Sequence, residues 1–284
     1  MVGLERSIRN EMPVEAAKLT ARDEQLPREM MRHTYRILYD VEETHWWHRG
    51  RRRIIESFVK EICRSFKDRK PRILDVGCGT GGNLTLLSKF GDAEGVDVSP
   101  EALDFCRQRG LQNVRLGAAE KLPYEDGTFD LVTALDVVEH IDDDVAGLRE
   151  FRRVLKPDGR ILLFVPTFMF LWGVQDDVSH HRRRYRLPEL RRAVETAGFV
   201  VERMTYANIT FFLPILLGRK LMSITGLRTE SENNINVPAL NGVFGSIFGA
   251  ESAALRYLNF PFGVSGLCVA RVRNDNYAQE SRQS

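Results

Sequence analysis

A chain of 284 residues suits one large domain with additions, and its 43% hydrophobic and 28% charged content is that of a soluble globular protein, not a disordered or fibrous one. A net charge of +2 makes no global case for nucleic acid. Cys63, Cys78, Cys106 and Cys268 show neither zinc spacing nor the density of a disulfide framework, and no metal-ligand set is read from the chain.

The first residues carry Glu5, Arg6 and Arg9 without an apolar core, so no signal peptide is read and a reducing, cytoplasmic setting is expected. Residues 1–27 are polar and mixed in charge, and are expected to be a mostly disordered arm. Residues 28–70 read as a helical cap. It has a short helix over 28–39 and an amphipathic one over 51–66, whose Ile54, Ile55, Phe58, Val59 and Ile62 face a core. Between them, Trp46 and Trp47 either pack the cap onto the domain or form a lid over the site. After Pro71, the run Ile73, Leu74, Asp75, Val76 reads as a buried parallel strand. Gly77, Gly79 and Gly81 then lead into a helix at Asn83, a turn that lets backbone approach a ligand and points helix-start N–H groups at it.

Further strands are expected over 93–97, 113–116 and 129–135, with a helix from Pro100 capped by Ser99 and another over 142–155. A fifth strand over 160–165 follows a Pro157-Asp158-Gly159 turn. Ligands of open α/β sheets sit beyond the strand C-termini, where Asp75, Asp97, Asp136 and Pro166 converge. The loop 166–185 leaves that edge carrying Asp176, His181, Arg182, Arg183, Arg184 and Tyr185. His181 is a candidate general base, oriented by a carboxylate; the competing reading has the loop pinned by ion pairs. Arginines from Arg182 to Arg192 leave room for a phosphate or carboxylate on a ligand. A helix over 188–198 and a strand over 199–206 come next. The insertion 207–261 then precedes a last strand over 264–272, and 275–284 reads as a frayed tail. The run Phe211-Phe212-Leu213-Pro214-Ile215-Leu216-Leu217 is far short of a membrane span. It leaves three readings open: a helix packed on the sheet, a homodimer element, or an interfacial patch admitting a greasy ligand.

Gly77, Gly79 and Gly82 also satisfy the dinucleotide fingerprint, with Asp97 about twenty residues on. Asp75, however, would repel a pyrophosphate and attract an ammonium. The stretch from Asp75 to Asn83 resembles the first motif of class I S-adenosylmethionine-dependent methyltransferases. Segments 94–100, 122–132, 136–141 and 155–160 are similar to that family's later motifs, in the same order. The resemblance implies a Rossmann-like, doubly wound α/β sheet over 71–274, mostly parallel with an antiparallel last strand, and S-adenosyl-L-methionine as cofactor. It implies cofactor contacts from Asp75, Gly77, Cys78, Gly79, Gly81, Asn83, Asp97, Val98 and Asp136, with Asp97 accepting from the ribose hydroxyls. Ala118 stands where many relatives carry an acidic residue, so adenine contact falls to Ala118, Ala119 or Glu120. His181, His140 and Tyr185 are the catalytic candidates; Trp46, Trp47, Asp176, Arg184, Phe211 and Phe212 are the candidate acceptor contacts. The activity expected is methyl transfer to a small, hydrophobic or lipid-linked acceptor, with O-, N- and C-methylation left open. An RNA or protein methyltransferase, or a nicotinamide-dependent oxidoreductase, is the alternative. No nucleic-acid partner is expected, while peripheral membrane contact and a homodimer through the insertion stay open.

Overall fold

Alternation along β1 (Arg72–Val76) sends Ile73 to one side of the sheet and Leu74 and Val76 to the other, and two separate cores grow from that split. The structure is a computed structural model that describes residues 32–66, 69–225 and 238–274. The expected arm (1–27) and tail (275–284), and the middle of the insertion, lie outside the described residues.

The described chain begins with α1 (Arg32–Val41) and α2 (Trp46–Cys63), followed by β1, α3 (Gly82–Leu87), β2 (Asp92–Asp97), α4 (Pro100–Gln108) and β3 (Val114–Leu116). Then come β4 (Phe129–Leu135), α5 (Asp144–Val154), β5 (Leu155–Pro166), α6 (Val174–Val178), α7 (Leu187–Thr196), β6 (Phe199–Ala207), α8 (Phe212–Thr225), α9 (Pro238–Ala254) and β7 (Ser265–Val272). The sheet has seven strands in the order β3-β2-β1-β4-β5-β7-β6. Its pairs are parallel except that β7 runs antiparallel to both β5 and β6. The doubly wound, mostly parallel α/β architecture with an antiparallel last strand is therefore present.

One core packs Leu148 and Phe151 of α5 and Leu190 of α7 against Leu74, Val132 and Leu163. The other packs Ile54, Phe58 and Ile62 of α2, Leu87 of α3 and Phe248 of α9 against Ile73, Leu131, Leu162 and Leu267. The amphipathic stripe read in the sequence is thus the face α2 buries.

Two boundaries differ from the sequence reading. The cap helix starts at Trp46 and not at 51, because the His45 ring accepts from the Trp47 N–H at 3.3 Å and caps it. Pro157, Asp158 and Gly159 do not form a separate turn before β5: they sit inside it as an outward bulge, since Phe129 pairs with Leu155 but Leu131 pairs with Arg160. Asp130, buried between those positions, accepts from Lys156 Nζ at 3.0 Å and from the Arg72 N–H at 2.8 Å, which ties the bulge to the start of β1.

The insertion is tied down by α9. Glu251 accepts from the Asn208 N–H at 2.7 Å and the Thr210 N–H at 2.9 Å, fixing the chain where it leaves β6. α9 crosses α2 closely: a Cβ placed on Gly50 would lie 2.5 Å from Phe248 Cδ1 and 2.7 Å from its Cβ. Gly50→Val is expected to cost about 1–3 kcal/mol by overpacking this crossing, read as a lower urea midpoint. An unchanged midpoint would show that the two helices separate freely.

Candidate active site

Strand order places four C-terminal ends side by side, and each contributes to one cavity of about 750 Å³: Gly77 after β1, Asp97 of β2, Asp136 after β4 and Pro166 of β5. β7 runs the other way, so its first residue, Ser265, joins the same edge. Gly77 and Gly79 take left-handed backbone conformations (φ +64° and +53°) that a side chain would strain, and a Cβ on Gly77 would lie 2.5 Å from Val137. The turn they make lets the Gly79 N–H donate to one oxygen of Asp97 at 2.8 Å, while the Ser99 N–H donates to the other at 2.9 Å. Burial pushes the Asp97 carboxyl above its ordinary range, against the backbone N–H groups that pull it down.

Asp75 is not on the cavity wall. Its carboxylate lies buried behind the turn and accepts from Thr133 Oγ1 at 2.7 Å, and burial pushes it up to about 7. Cys78, Gly79, Asn83, Val98 and Ala119 do line the cavity, whereas Gly81, Ala118 and Glu120 do not. Gly82 and Gly117 take the places of their neighbours.

The cap closes one side. Asp136 adopts φ +62°, an uncommon conformation for a residue with a side chain, and pairs with Arg51 of α2 at 2.9 Å. Arg51 also lies over the Phe164 ring, 4.7 Å from its centroid. Glu42 reaches from the end of α1 to the glycine turn, where it accepts from Thr80 Oγ1 and pairs with Arg109 at 2.5 Å. Trp46 and Trp47 do two jobs. They line the cavity, and they pack on the insertion, with Trp46 4.5 Å from the Phe211 ring and Trp47 5.5 Å from that of Phe248.

The loop after β5 crosses over this edge around a buried Asp176. Arg184 donates to it through Nε (2.7 Å) and Nη2 (2.8 Å), and His181 Nδ1 lies 2.7 Å away. Burial raises the Asp176 carboxyl, but those hydrogen bonds and the guanidinium charge outweigh it and hold the group down at about 2. Bonded so, His181 presents Nε2 on the cavity side, 3.9 Å from Glu139 Oε1. His140 also lines the cavity, its ring 4.8 Å from that of His181. Burial, with the neighbouring His181, pushes His140 down to about 3, so it stays neutral and is a feeble base.

Tyr185 is corrected as a catalytic candidate. Its hydroxyl is buried off the cavity and donates to Asp144 at 2.8 Å, and burial raises it far from any catalytic range. Four of the six arginines from Arg182 to Arg192 are paired within the chain. Arg182 pairs with Asp142, Arg183 with Asp144, Arg184 with Asp176 and Arg191 with Glu195. Phe211 lines the cavity, but Phe212 turns away and packs on Phe262 at 5.1 Å.

The sequence reading missed Glu42, Arg51, Glu139 and the α8 residues Pro214, Ile215 and Met222. Their partners lie across the fold, so neither spacing nor composition could single them out; only the pairing of Glu139 with His140 in one motif hinted at a shared site.

Residues 74–163 match the protein family described as a methyltransferase domain. Over 149 residues the chain is 36% identical to the uncharacterized methyltransferase YcgJ of Bacillus subtilis, covering 49% of this chain and 58% of that protein. Over 103 residues it is 39% identical to the demethylmenaquinone methyltransferase of Chlorobaculum tepidum, covering 35% and 42%. The chain thus spans about half the length of these curated relatives. Among solved structures, an S-adenosylmethionine-dependent methyltransferase from Thermotoga maritima shares the fold with a TM-score of 0.52 at 16% identity, covering 85% of this chain and 96% of that one.

The buried Asp75 gives a pH test. Its folded-state carboxyl, at about 7 against an ordinary 3.8, favours the proton, so its contribution is fully present below about pH 4 and is lost as pH rises to about 7. Asp75→Asn keeps an acceptor for Thr133 and removes the charge. Thermal melts of the ligand-free protein should show the wild type losing stability relative to this variant across that window and no further above it. Parallel pH profiles would contradict the assignment.

Proposed function

We propose, from the premise that residues 74–163 are a class I S-adenosylmethionine-dependent methyltransferase domain, that the chain methylates a small hydrophobic or lipid-linked acceptor which enters past α8. The observation that carries the reading is the double face of that helix. Pro214, Ile215 and Met222 line the cavity, while Leu213, Leu217, Leu221 and Ile224 stand 60–82% exposed on the outside. A helix whose apolar residues face both the cavity and the outside, with Arg219 and Lys220 as its only charges, buries one apolar face and leaves the other for an apolar surface. α9 adds exposed Leu240, Val243 and Ile247 at helical spacing, and Met169 and Phe170 of the loop after β5 are exposed too. Patches of this extent mark binding or membrane-contact surfaces. Among the described residues no helix is long and apolar enough to cross a membrane, so contact would be peripheral. The likeness to a demethylmenaquinone methyltransferase supports a small-molecule acceptor.

The residues present fit the cofactor. Asp97 stands on the cavity wall with both oxygens fixed by backbone N–H groups, ready to accept from a diol. A Cβ on Gly79 would meet nothing nearer than Leu38 Cδ2 at 3.9 Å, so backbone there is open to a close ligand. When bound, the cofactor supplies an electrophilic methyl on a sulfonium for in-line displacement. The chain's share is position and the exclusion of water. Asp97 holds the ribose, the Arg51–Asp136 pair draws the cap over the edge, and the Trp46–Phe211 contact closes the apolar side. Pairing of Arg182, Arg183, Arg184 and Arg191 within the chain argues against a polyanionic acceptor.

Two measurements test this. Asp97→Ala should weaken S-adenosylhomocysteine binding by about 2–4 kcal/mol in calorimetry, through the loss of two charge-assisted hydrogen bonds of about 1.5–3 kcal/mol each with some replacement by water. Equal affinity in a folded variant would place the ribose elsewhere. Leu217→Ser combined with Leu221→Ser should lower binding to neutral phosphatidylcholine vesicles by at least about tenfold and leave S-adenosylhomocysteine affinity unchanged. Vesicle binding that is absent in the wild type, or equal in the variant, would remove the membrane route.

A further inference from the structure

We infer that Glu139, His140 and His181 form a binding site for a divalent transition-metal ion at the floor of the cavity. One ligand atom from each of the three lies within 4.8 Å of the other two. Zinc–nitrogen and zinc–carboxylate bonds of about 2.0–2.2 Å place neighbouring donor atoms about 3–3.5 Å apart, so the side chains need to close by up to about 1.3–1.8 Å. The three come from two elements: the short turn Val138–His140 after β4 and the loop after β5, which the Arg182 N–H also ties to the Glu139 carbonyl at 2.9 Å.

Glu139 points to a ligand independently of the clustering. It is fully buried, and neither carboxylate oxygen meets a hydrogen-bond donor from another residue. A carboxylate in such a place needs a cation or a proton. Among the described residues no lysine or arginine hydrogen-bonds to it; the Arg51 guanidinium acts on it only through space, and His181 Nε2 lies 3.9 Å away. The surroundings of His181 are those of a metal ligand. Its Nδ1 is bonded to Asp176, which Arg184 grips with two hydrogen bonds, so the ring is fixed with Nε2 toward Glu139. A carboxylate behind a ligating imidazole sets its tautomer and orientation and raises its basicity. Two imidazoles and one carboxylate select a first-row transition ion over magnesium or calcium, which prefer oxygen.

His140 and His181 line the cavity and Glu139 lies buried behind it, so an ion held by the three would keep its remaining coordination positions toward the cavity, as in catalytic sites with three protein ligands. The ion's chemical role rests on the methyltransferase reading; its binding does not. A hydroxyl of the acceptor would bind in an open position and lose its proton to water. The oxygen's electron pair would then form the new O–CH3 bond as the S–CH3 bond breaks, releasing S-adenosylhomocysteine and one proton. An oxygen acceptor is therefore the class this site takes.

The test uses the full chain, stripped with a chelator and dialysed. Titration with Co²⁺ should saturate at one equivalent, with visible absorption bands and displacement by Zn²⁺. His181→Ala and Glu139→Gln should each weaken Co²⁺ binding by at least about tenfold, and Asp176→Asn by about 10–100-fold. S-adenosylhomocysteine affinity, measured in the same samples, reports an intact fold. Should Glu139→Gln fail to fold, His181→Ala decides, since its ring lies at the cavity surface. Wild-type protein that takes up neither Co²⁺ nor Zn²⁺, or variants that bind as well as it does, would overturn the site. Turnover unchanged by chelation would overturn the role in activating the acceptor. Loss of S-adenosylhomocysteine binding in the wild type would instead contradict the methyltransferase reading.

Discussion

The ion pair between Arg51 and Asp136 is the interaction on which the site depends. Strand ends alone make an open edge; the cavity exists because α2 is held across it. The pair joins a buried guanidinium on the cap to a carboxylate that the end of β4 presents only by taking a left-handed backbone conformation. A partly buried pair of this kind contributes less than its Coulomb attraction, since both charges give up water. Removing Asp136 would nevertheless leave the buried Arg51 guanidinium uncompensated, which is the larger cost. Glu42 makes a second tie, from α1 to the glycine turn through Thr80 and Arg109. Cap and cofactor turn are therefore fixed relative to one another before any ligand arrives.

From that frame the cavity divides by chemistry. Toward the ends of β1 and β2 it is polar and backbone-rich, with Asp97 anchored by Gly79 and Ser99. Toward the insertion it is apolar, with Trp46, Phe211, Ile215 and Met222. Between them stand His140, His181 and the buried Glu139, where a reacting group held at one end would meet one held at the other. Asp176 connects the two halves, since it orients His181 and also lies 3.9 Å from Arg219 of α8.

The sheet was legible because its signals are local. A short apolar run after Pro71 marked β1, the family resemblance marked β2 and β4, and Ser99 marked the start of α4 by the residue type that caps helices. The strand-end rule then brought Asp97, Asp136 and Pro166 to one edge, and the loop carrying His181 with them, without any knowledge of contacts. Long-range partnership was not legible. Nothing in the neighbourhood of Tyr185 announces that Asp144 will take its hydroxyl, or that Asp142, Asp144 and Asp176 will absorb the arginines beside it. Asp75 looked like a ligand group because it precedes the glycines, yet alternation along β1 turns it to the buried face it shares with Ile73, beside Thr133. The insertion was read as one segment with three roles left open. In the structure its second helix packs on α2 at Gly50, and its first shields the cavity with one face while exposing the other.

The central claim is that the methyl group goes to a greasy small molecule. The most direct measurement incubates the purified protein with S-adenosylmethionine carrying a deuterated methyl group and a total lipid extract, then follows the label by mass spectrometry. The account predicts label in organic-phase small molecules, in amounts that fall in Leu217→Ser combined with Leu221→Ser. Label found only in protein, RNA or water-soluble metabolites would contradict it.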